Sequence, residues 1–269
     1  MRWRTGRVLL LGSVVLYLAL VLALPLSDLV ARLAGAGWEP IRATLADQEV
    51  QHTLRITAAL ALIAVAVNSV FGVLAAILLV RGRFPGRKLL DALVDLPFAA
   101  SPVMTGLAFL LIFGRGGWFD PVLQRFDLKI AFAFPGLVIA TLFVTLPFTM
   151  REVGYVLREL GSKEEEVAMT LGASPAQTFL RVTLPNVRYA VGYGVALTLA
   201  RALGEFGAVL VLGGAVSGRT QTATTFIYDA LEERREDAAY TMAAVLASIS
   251  VALLLVIEFT KSRRRRLET

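Results

Sequence analysis

The sequence predicts an all-α membrane protein with six transmembrane helices, organised as a single domain over residues 1–269. Three observations predict it. Hydrophobic residues make up 57% of the chain and its mean hydropathy is +0.69, the composition of a polytopic membrane protein. Six apolar runs each reach or come close to the roughly 20 residues that a helix needs to cross a ~30 Å hydrocarbon core. The runs are continuous, where the strands of a membrane barrel would alternate, and helices and closed barrels are the only backbones that lipid tolerates.

The first run, Val8–Leu26, follows Arg2, Arg4 and Arg7 and so has the outline of a signal peptide. At about 19 residues it exceeds the roughly 7–15 of a signal-peptide core, which predicts a retained span. The second is Ile56–Val80. The third, Leu89–Phe113, contains Asp95-Leu96-Pro97-Phe98-Ala99-Ala100-Ser101-Pro102. Two prolines five residues apart remove helical hydrogen bonds, so this stretch is expected to kink or unwind, either to line a substrate path at Ser101 and Pro102 or as a packing feature. The fourth run is Phe132–Met150.

In the fifth run, Tyr189–Leu212, Ala196, Ala200, Gly204 and Ala208 recur every four residues, a stripe that lets another helix approach closely. Beside it stand Arg201 and Glu205, charges that at membrane depth face protein or a water-filled path. Two readings stay open: a self-neutralising pair that locks two helices, or an arginine supplying positive potential to an anion path with the glutamate tuning it. The sixth run, Tyr240–Thr260, ends in Lys261 and Arg263 to Arg266.

A polar island over about 151–188 separates the fourth and fifth runs. Ser162-Lys163-Glu164-Glu165 reads as a capping box, with Glu164, Glu165 and Glu166 on the positive end of the helix it starts. Gly172 is placed to close that helix in a left-handed conformation. Ser174-Pro175-x-Gln177 repeats the box, and Pro185 is expected to bound the second helix. As a helix–turn–helix for DNA the unit fails, because its second helix carries only Arg181 as a cation, and phosphate binding needs several.

The sequence pI of about 10.0 is therefore a topology signal. Placing both termini in the cytoplasm puts there Arg2, Arg4, Arg7, Arg81, Arg83, Arg87, Lys88, Arg151, Arg158, Lys163, Arg181, Arg188, Lys261 and Arg263 to Arg266. The opposite side receives only Arg32, Arg42, Arg115, Arg125, Lys129, Arg219, Arg234 and Arg235. Positive residues favour the inside, so the island is expected to be cytoplasmic.

Several chemistries are excluded. With no cysteine there is neither a disulfide nor a thiolate metal site, and the one histidine, His52, read as a solvated loop residue, builds neither a metal site nor a Ser-His-Asp triad. Gly213-Gly214-Ala215-Val216-Ser217-Gly218-Arg219-Thr220 imitates a phosphate loop, but Arg219 stands where the pattern needs Lys and the segment falls on the outer side. No catalytic residue, metal or cofactor is expected in this chain.

With those residues set out, Glu166-Val167-Ala168 followed by Gly172 resembles the EAA signature of permease subunits of ATP-binding-cassette importers, Val167 replacing the middle alanine. The resemblance extends to Leu96-Pro97-Phe98-Ala99-Ala100-Ser101-Pro102-Val103, Gly117-Trp118-Phe119, Phe134-Pro135-Gly136, Thr145-Leu146-Pro147-Phe148, Arg151-Glu152, Leu171-Gly172-Ala173-Ser174 and Arg201-Ala202-Leu203-Gly204-Glu205-Phe206-Gly207-Ala208. Together these look like sulfate/thiosulfate importer permeases, their W-type subunits in particular, over roughly residues 55–260. The last stretch is shared with molybdate and tungstate permeases and so speaks for tetrahedral oxyanions as a class.

The resemblance implies a type I ABC-importer permease core in a bacterial inner membrane. It implies that Glu165, Glu166, Val167, Ala168, Leu171, Gly172 and Ala173 couple to an ATPase dimer, which holds the ATP and Mg. Further implied partners are a paralogous permease subunit, or a second copy if the cargo is molybdate, and an extracytoplasmic oxyanion-binding protein. Ser101, Pro102, Arg201 and Glu205 are the implied substrate-pathway residues. One departure is the segment Thr220 to Phe226, which lacks the Leu-Pro pair usual there. The rival of another class is an ion-gradient-driven secondary transporter, which has no need of the island and usually shows internal repeats that are not seen here.

Overall fold

The structure, a computed structural model, describes residues 2–267, with the side chains of 2–6, 8–9, 254 and 256–267 outside the described set. Arg2, Arg4, Lys261 and Arg263 to Arg266, counted in the charge asymmetry, fall among those side chains. Every regular element among the described residues is helical.

The first span is longer than its apolar run. Helix α1 (Arg2–Leu18), a π-helical turn (Ala19–Ala23) and α2 (Leu24–Ala36) follow one another without a break until Gly37 turns the chain at φ 81°. Pro25 sits inside this rod without ending it. In the π turn the Leu24 N–H bonds Ala19 O, five residues back, and the widened turn makes room for the ring just beyond it. No residue of the apolar window in Leu10–Ala36 is buried; α2 and the next helix, α3 (Trp38–Ala46), pack on the last helix of the chain.

Helix α4 (Gln48–Arg81) starts eight residues before the predicted run because Asp47 caps it, its Oδ1 accepting the Glu49 N–H at 2.8 Å. His52 thus lies half-buried on a helix and not in a solvated loop. At 1.5 Å per residue α4 is about 50 Å long, so its two ends mark the two ends of the molecule.

The third predicted run is not one rod. It is divided into α5 (Arg87–Val94), α6 (Leu96–Ala99) and α7 (Pro102–Phe113), with Pro97 and Pro102 each in the first turn of a new helix, where a missing N–H costs least. After the short α8 (Asp120–Arg125) comes α9 (Phe134–Leu160), which carries Pro147 inside it. The remaining helices are α10 (Lys163–Thr170), α11 (Pro175–Thr178), α12 (Leu184–Leu203), α13 (Gly207–Gly213), α14 (Ala223–Glu232) and α15 (Glu236–Leu267).

Among the described residues four helices are long and apolar enough to cross a membrane: Leu10–Ala36, Gln48–Arg81, Phe134–Leu160 and Glu236–Leu253. The bent pair Pro175–Leu203 with Gly207–Gly213, whose axes differ by 54°, passes the same test when taken together, which gives up to five. Of the expected six runs, the third, divided by its prolines, has no helix long enough to cross.

The core is the bundle of α4, α9 and α12. Thr149 of α9 lies between two glycines: a Cβ on Gly72 of α4 would fall 3.1 Å from its Cβ, and one on Gly194 of α12 would fall 2.6 Å from its Cα. Lipid gives helices no hydrophobic reason to associate, so such close backbone approach is what holds them. Around it pack Val73, Ala76, Leu79, Met150, Val153 and Val187.

Candidate functional site: a coupling loop and two facing helix breaks

The polar island folds as a short helix, a glycine turn and a re-entry helix. Gly172 adopts φ 89°, the Gly172 N–H bonds Met169 O at 3.0 Å and the Ala173 N–H bonds Ala168 O at 3.0 Å, a Schellman closure of α10. The second capping box is present, with the Ser174 N–H on Gln177 Oε1 at 2.9 Å and the Gln177 N–H on Ser174 Oγ at 3.3 Å. Val167 and Leu171, 58% and 83% exposed, give α10 an apolar outer face, while Ala168 is half-buried. A groove beside it is lined by Lys163, Glu164, Val167, Leu171, Arg181 and Asn186.

Two expectations for the island are corrected. Ser162 does not cap α10: its backbone is outside the extended range that a cap needs (φ −110°, ψ 1°), and its Oγ donates to Glu166 Oε1 at 2.6 Å. Glu165 does not reach back to residue 162; it turns inward to Arg81 Nε at 2.8 Å, a charged donor stronger than a lone exposed N–H, and to Thr183 Oγ1 at 3.0 Å. Nor does Pro185 bound the second helix. A π turn (Phe179–Thr183), in which the Leu184 N–H bonds Phe179 O, lets α11 run into α12 as one continuous rod.

The other expected site residues meet at two helix breaks. Ala100 and Ser101 are extended before α7, and Gly204 to Phe206 interrupt the fifth span before α13. The breaks lie against each other: a Cβ on Gly207 would fall 3.1 Å from both Pro102 Cβ and Val103 N, and one on Gly106 would fall 2.9 Å from Ala208 O. The small-residue stripe is cut there, with Ala196 and Ala208 buried and Gly204 exposed at the bend.

At the bend, Arg201 Nη1 meets Glu205 Oε2 at 2.7 Å. Glu205 Oε1 accepts the Ala208 N–H at 3.0 Å, and Thr224 Oγ1 donates to Glu205 O at 2.5 Å. The glutamate side chain is 2% exposed and the arginine 29%. Because Oε2 has no hydrogen-bond partner among the described residues, the guanidinium is its neutralising neighbour. Ser101 is exposed and makes no capping bond, and Pro102 is half-buried. The structure thus brings Pro102 and Glu205 to one junction, with Arg201 reaching out from it.

Two long-range nodes were not visible in the sequence. Arg151 of α9 donates from Nε to Asp95 Oδ1 at 2.8 Å and from Nη1 to Asp91 Oδ1 at 2.6 Å, pinning α5 and the turn before α6 onto α9. Arg81 at the end of α4 holds Glu165. Arg81 carried a signal only as a topology marker and Arg151 only as that and as part of the Arg151-Glu152 resemblance, since a partner some 60 or 80 positions away has no local spacing rule.

The phosphate-loop imitation is closed on itself: Thr220 Oγ1 donates to Gly213 O at 2.7 Å and accepts the Val216 N–H at 3.0 Å. Ser217 of this loop donates to Glu49 Oε1 at 2.5 Å, at the start of α4, whereas the polar island is tied to Arg81 at its end. The two segments therefore stand at opposite ends of a helix long enough to cross a membrane. The segment after it, where the Leu-Pro pair is missing, is largely buried: the Thr222 N–H donates to Thr225 Oγ1 at 2.8 Å at the start of α14, and Gln221 Nε2 donates to Asp229 Oδ2 at 2.8 Å. No cluster of His, Cys, Asp or Glu able to hold a metal occurs among the described residues.

The profile of the family described as "Binding-protein-dependent transport system inner membrane component" matches residues 68–266. The chain is 42% identical over 257 residues to the sulfate transport system permease protein CysW of Synechococcus elongatus, covering 96% of this chain and 90% of that protein. To two sulfate-system permease proteins of Escherichia coli K12 it is 43% identical (CysW; 93% and 86% covered) and 40% identical (CysT; 96% and 93% covered). Among solved structures it resembles a bacterial ABC transporter that imports the acidic polysaccharide alginate, with a TM-score of 0.78 at 18% identity, covering 99% of this chain and 96% of that one. A second structure of such a transporter, in complex with an alginate pentasaccharide-bound periplasmic protein, gives a TM-score of 0.78 at 18% identity and 98% and 95% coverage. At that identity the likeness is one of fold.

Proposed function

Since the chain belongs to the binding-protein-dependent transport system inner membrane components, we propose that it is the permease subunit of an ATP-driven sulfate or thiosulfate importer. The observation that carries this reading is the similarity of 40–43% identity to sulfate-system permeases over nearly the full length of both chains. The geometry supports it at two places. An acidic, apolar-faced helix projects at one end of α4, shaped to dock a soluble subunit, and two broken helices face each other in the membrane part, where unwound backbone is tolerated only inside protein or along an aqueous path.

In the proposed mechanism an extracytoplasmic binding protein delivers the oxyanion at the Ser217 end. Two ATPase subunits, which hold the ATP and Mg, close at the α10 end, with Glu166, Val167, Leu171 and Gly172 at the contact. Their closure on ATP is passed through α10 to α4 and α12 and drives the switch by which the path opens to one side of the membrane and then to the other. Arg201 presents its guanidinium at the bend, where a desolvated divalent anion needs positive potential, and Glu205 fixes that guanidinium in place. Ser101 and Pro102 line the facing break.

Both termini lie in the cytoplasm in this reading, as the arginine asymmetry favours. Two different permease proteins of the E. coli sulfate system match this chain at 43% and 40% identity, which supports a paralogous partner and a pseudo-two-fold heterodimer. The unburied face of Leu10–Ala36 is then free for lipid or for that partner. The test is uptake into proteoliposomes holding this chain with its partner permease, ATPase and binding protein. ATP-dependent uptake of sulfate or thiosulfate is expected; uptake of molybdate alone, or uptake driven by an ion gradient without the ATPase, overturns the reading.

A further inference from the structure

Arg81 closes α4, and its guanidinium makes four contacts, two to α10 and two to the end of α9. Nε and Nη2 donate to the Glu165 carboxylate of α10 at 2.8 and 3.4 Å. Nη1 donates to Leu157 O at 3.0 Å and Nη2 to Gly161 O at 2.5 Å, carbonyls at the end of α9 that a helix terminus leaves unpaired. The other side of Glu165 is taken as well, since Thr183 Oγ1, in the π turn that leads into α12, donates to its Oε1 at 3.0 Å. One ionic node therefore joins the ends of α4 and α9, the start of the α12 rod, and α10. It is sheltered, with the Arg81 and Glu165 side chains 22% and 16% exposed.

The neighbouring acids behave differently. Glu164 and Glu166 are exposed, the first on Asn186 Nδ2 and the second on Ser162 Oγ within its own turn. Of the three acids in the first turn of α10, only Glu165 has turned its back on the outer face.

We infer that the Arg81–Glu165 pair is the fastening through which α10 moves the membrane helices, which makes Glu165 a positioning residue inside the permease and not a contact of the soluble partner. This rests on the coupling role proposed for α10. A bidentate guanidinium–carboxylate pair is directional and stiff, unlike a lysine contact, so a displacement of α10 is passed on and not absorbed. Its route is short. The π turn holding Thr183 continues into α12, which is packed on α9 through Gly194 and Thr149 and ends at the Arg201–Glu205 bend.

The test uses the assembled importer in proteoliposomes and reads two quantities, the ATPase rate and the anion taken up per ATP hydrolysed. Arg81→Gln and Glu165→Gln should retain the ATPase subunit and its activity while uptake per ATP falls by about tenfold or more, since even ångström-scale misplacement of a remote element is costly. Arg81→Lys, which keeps the charge but not the fork, should fall between. Thr183→Val keeps shape, removes one bond to Glu165, and should lower uptake per ATP by about threefold, a free-energy change of under 1 kcal/mol; this milder variant decides the matter if the charge variants do not assemble. Normal uptake per ATP in Thr183→Val together with either unchanged coupling or failed assembly in the charge variants overturns the inference. Loss of the ATPase subunit from an assembled Glu165→Gln permease also overturns it, because Glu165 would then be a docking contact. A wild-type permease that binds no ATPase would instead defeat the coupling reading itself.

Discussion

The Glu205 carboxylate divides its two oxygens between the two halves of a broken helix: Oε2 meets Arg201 of α12 at 2.7 Å, and Oε1 caps the Ala208 N–H of α13 at 3.0 Å. The residue thereby sets the 54° bend as well as neutralising the arginine. Its two contacts belong to a side chain that is 2% exposed, while Arg201 is 29% exposed.

Unequal exposure predicts unequal mutants. Arg201→Leu leaves a buried carboxylate without its cation, a loss of about 3–5 kcal/mol that should abolish assembly or lower Tm sharply. Glu205→Leu leaves an arginine that can reach water, so the loss is mainly the α13 cap, about 1 kcal/mol. The double Leu variant should assemble yet take up little anion. Near-normal uptake by the assembled double variant would remove Arg201 from the pathway.

At Gly172 the space is open, with nothing within 4 Å of the point a Cβ would occupy, and φ is 89°. Only backbone strain opposes a substitution. Gly172→Val should strain the turn by roughly 1–2 kcal/mol and misalign α10, lowering uptake while the permease still inserts; Gly172→Asn, which tolerates the left-handed region, should retain most activity. Wild-type uptake by Gly172→Val would show that α10 needs no fixed exit angle.

What was legible in the sequence was local. Continuous apolar runs located the helices; the Schellman glycine at 172 and the box at Ser174 were readable because every bond lies within a few residues. Prolines misled where a π turn intervened: Pro185 looked like a boundary but sits in a continuous rod, as Pro25 does. The Ser162 box failed because Glu165 found Arg81, a competitor 84 positions away that no short pattern contains. The candidate site residues were legible as oddities, charges and prolines in apolar runs, but that the break at Pro102 lies against Gly207 is tertiary information.

Topology can be measured directly in a chain without native cysteine. Ser217 and Ala176 are both exposed and lie toward opposite ends of the molecule. In intact cells Ser217→Cys should react with a membrane-impermeant thiol reagent, and Ala176→Cys should react only after permeabilisation. The reverse pattern would invert the orientation and place the coupling loop outside.

Two glycines of α12, two residues apart, should respond in opposite directions to the same methyl group. Gly194 is buried against α9, and a Cβ there would stand 2.6 Å from Thr149 Cα, a backbone atom that moves only if the helices part. Gly192 is exposed, with nothing within 4 Å of its Cβ position. Gly192→Ala should therefore leave the packing intact and gain up to about 1 kcal/mol of helix propensity, raising Tm slightly. Gly194→Ala receives the same propensity but forces α12 away from α9, an overpacking cost of about 1–3 kcal/mol that should lower Tm. The shift should also reach the Arg201–Glu205 bend at the end of the same helix, so Gly194→Ala should lose uptake where Gly192→Ala keeps it. Equal Tm and uptake for the two variants would mean that α12 and α9 do not cross at Thr149, and that the core of the bundle is packed differently.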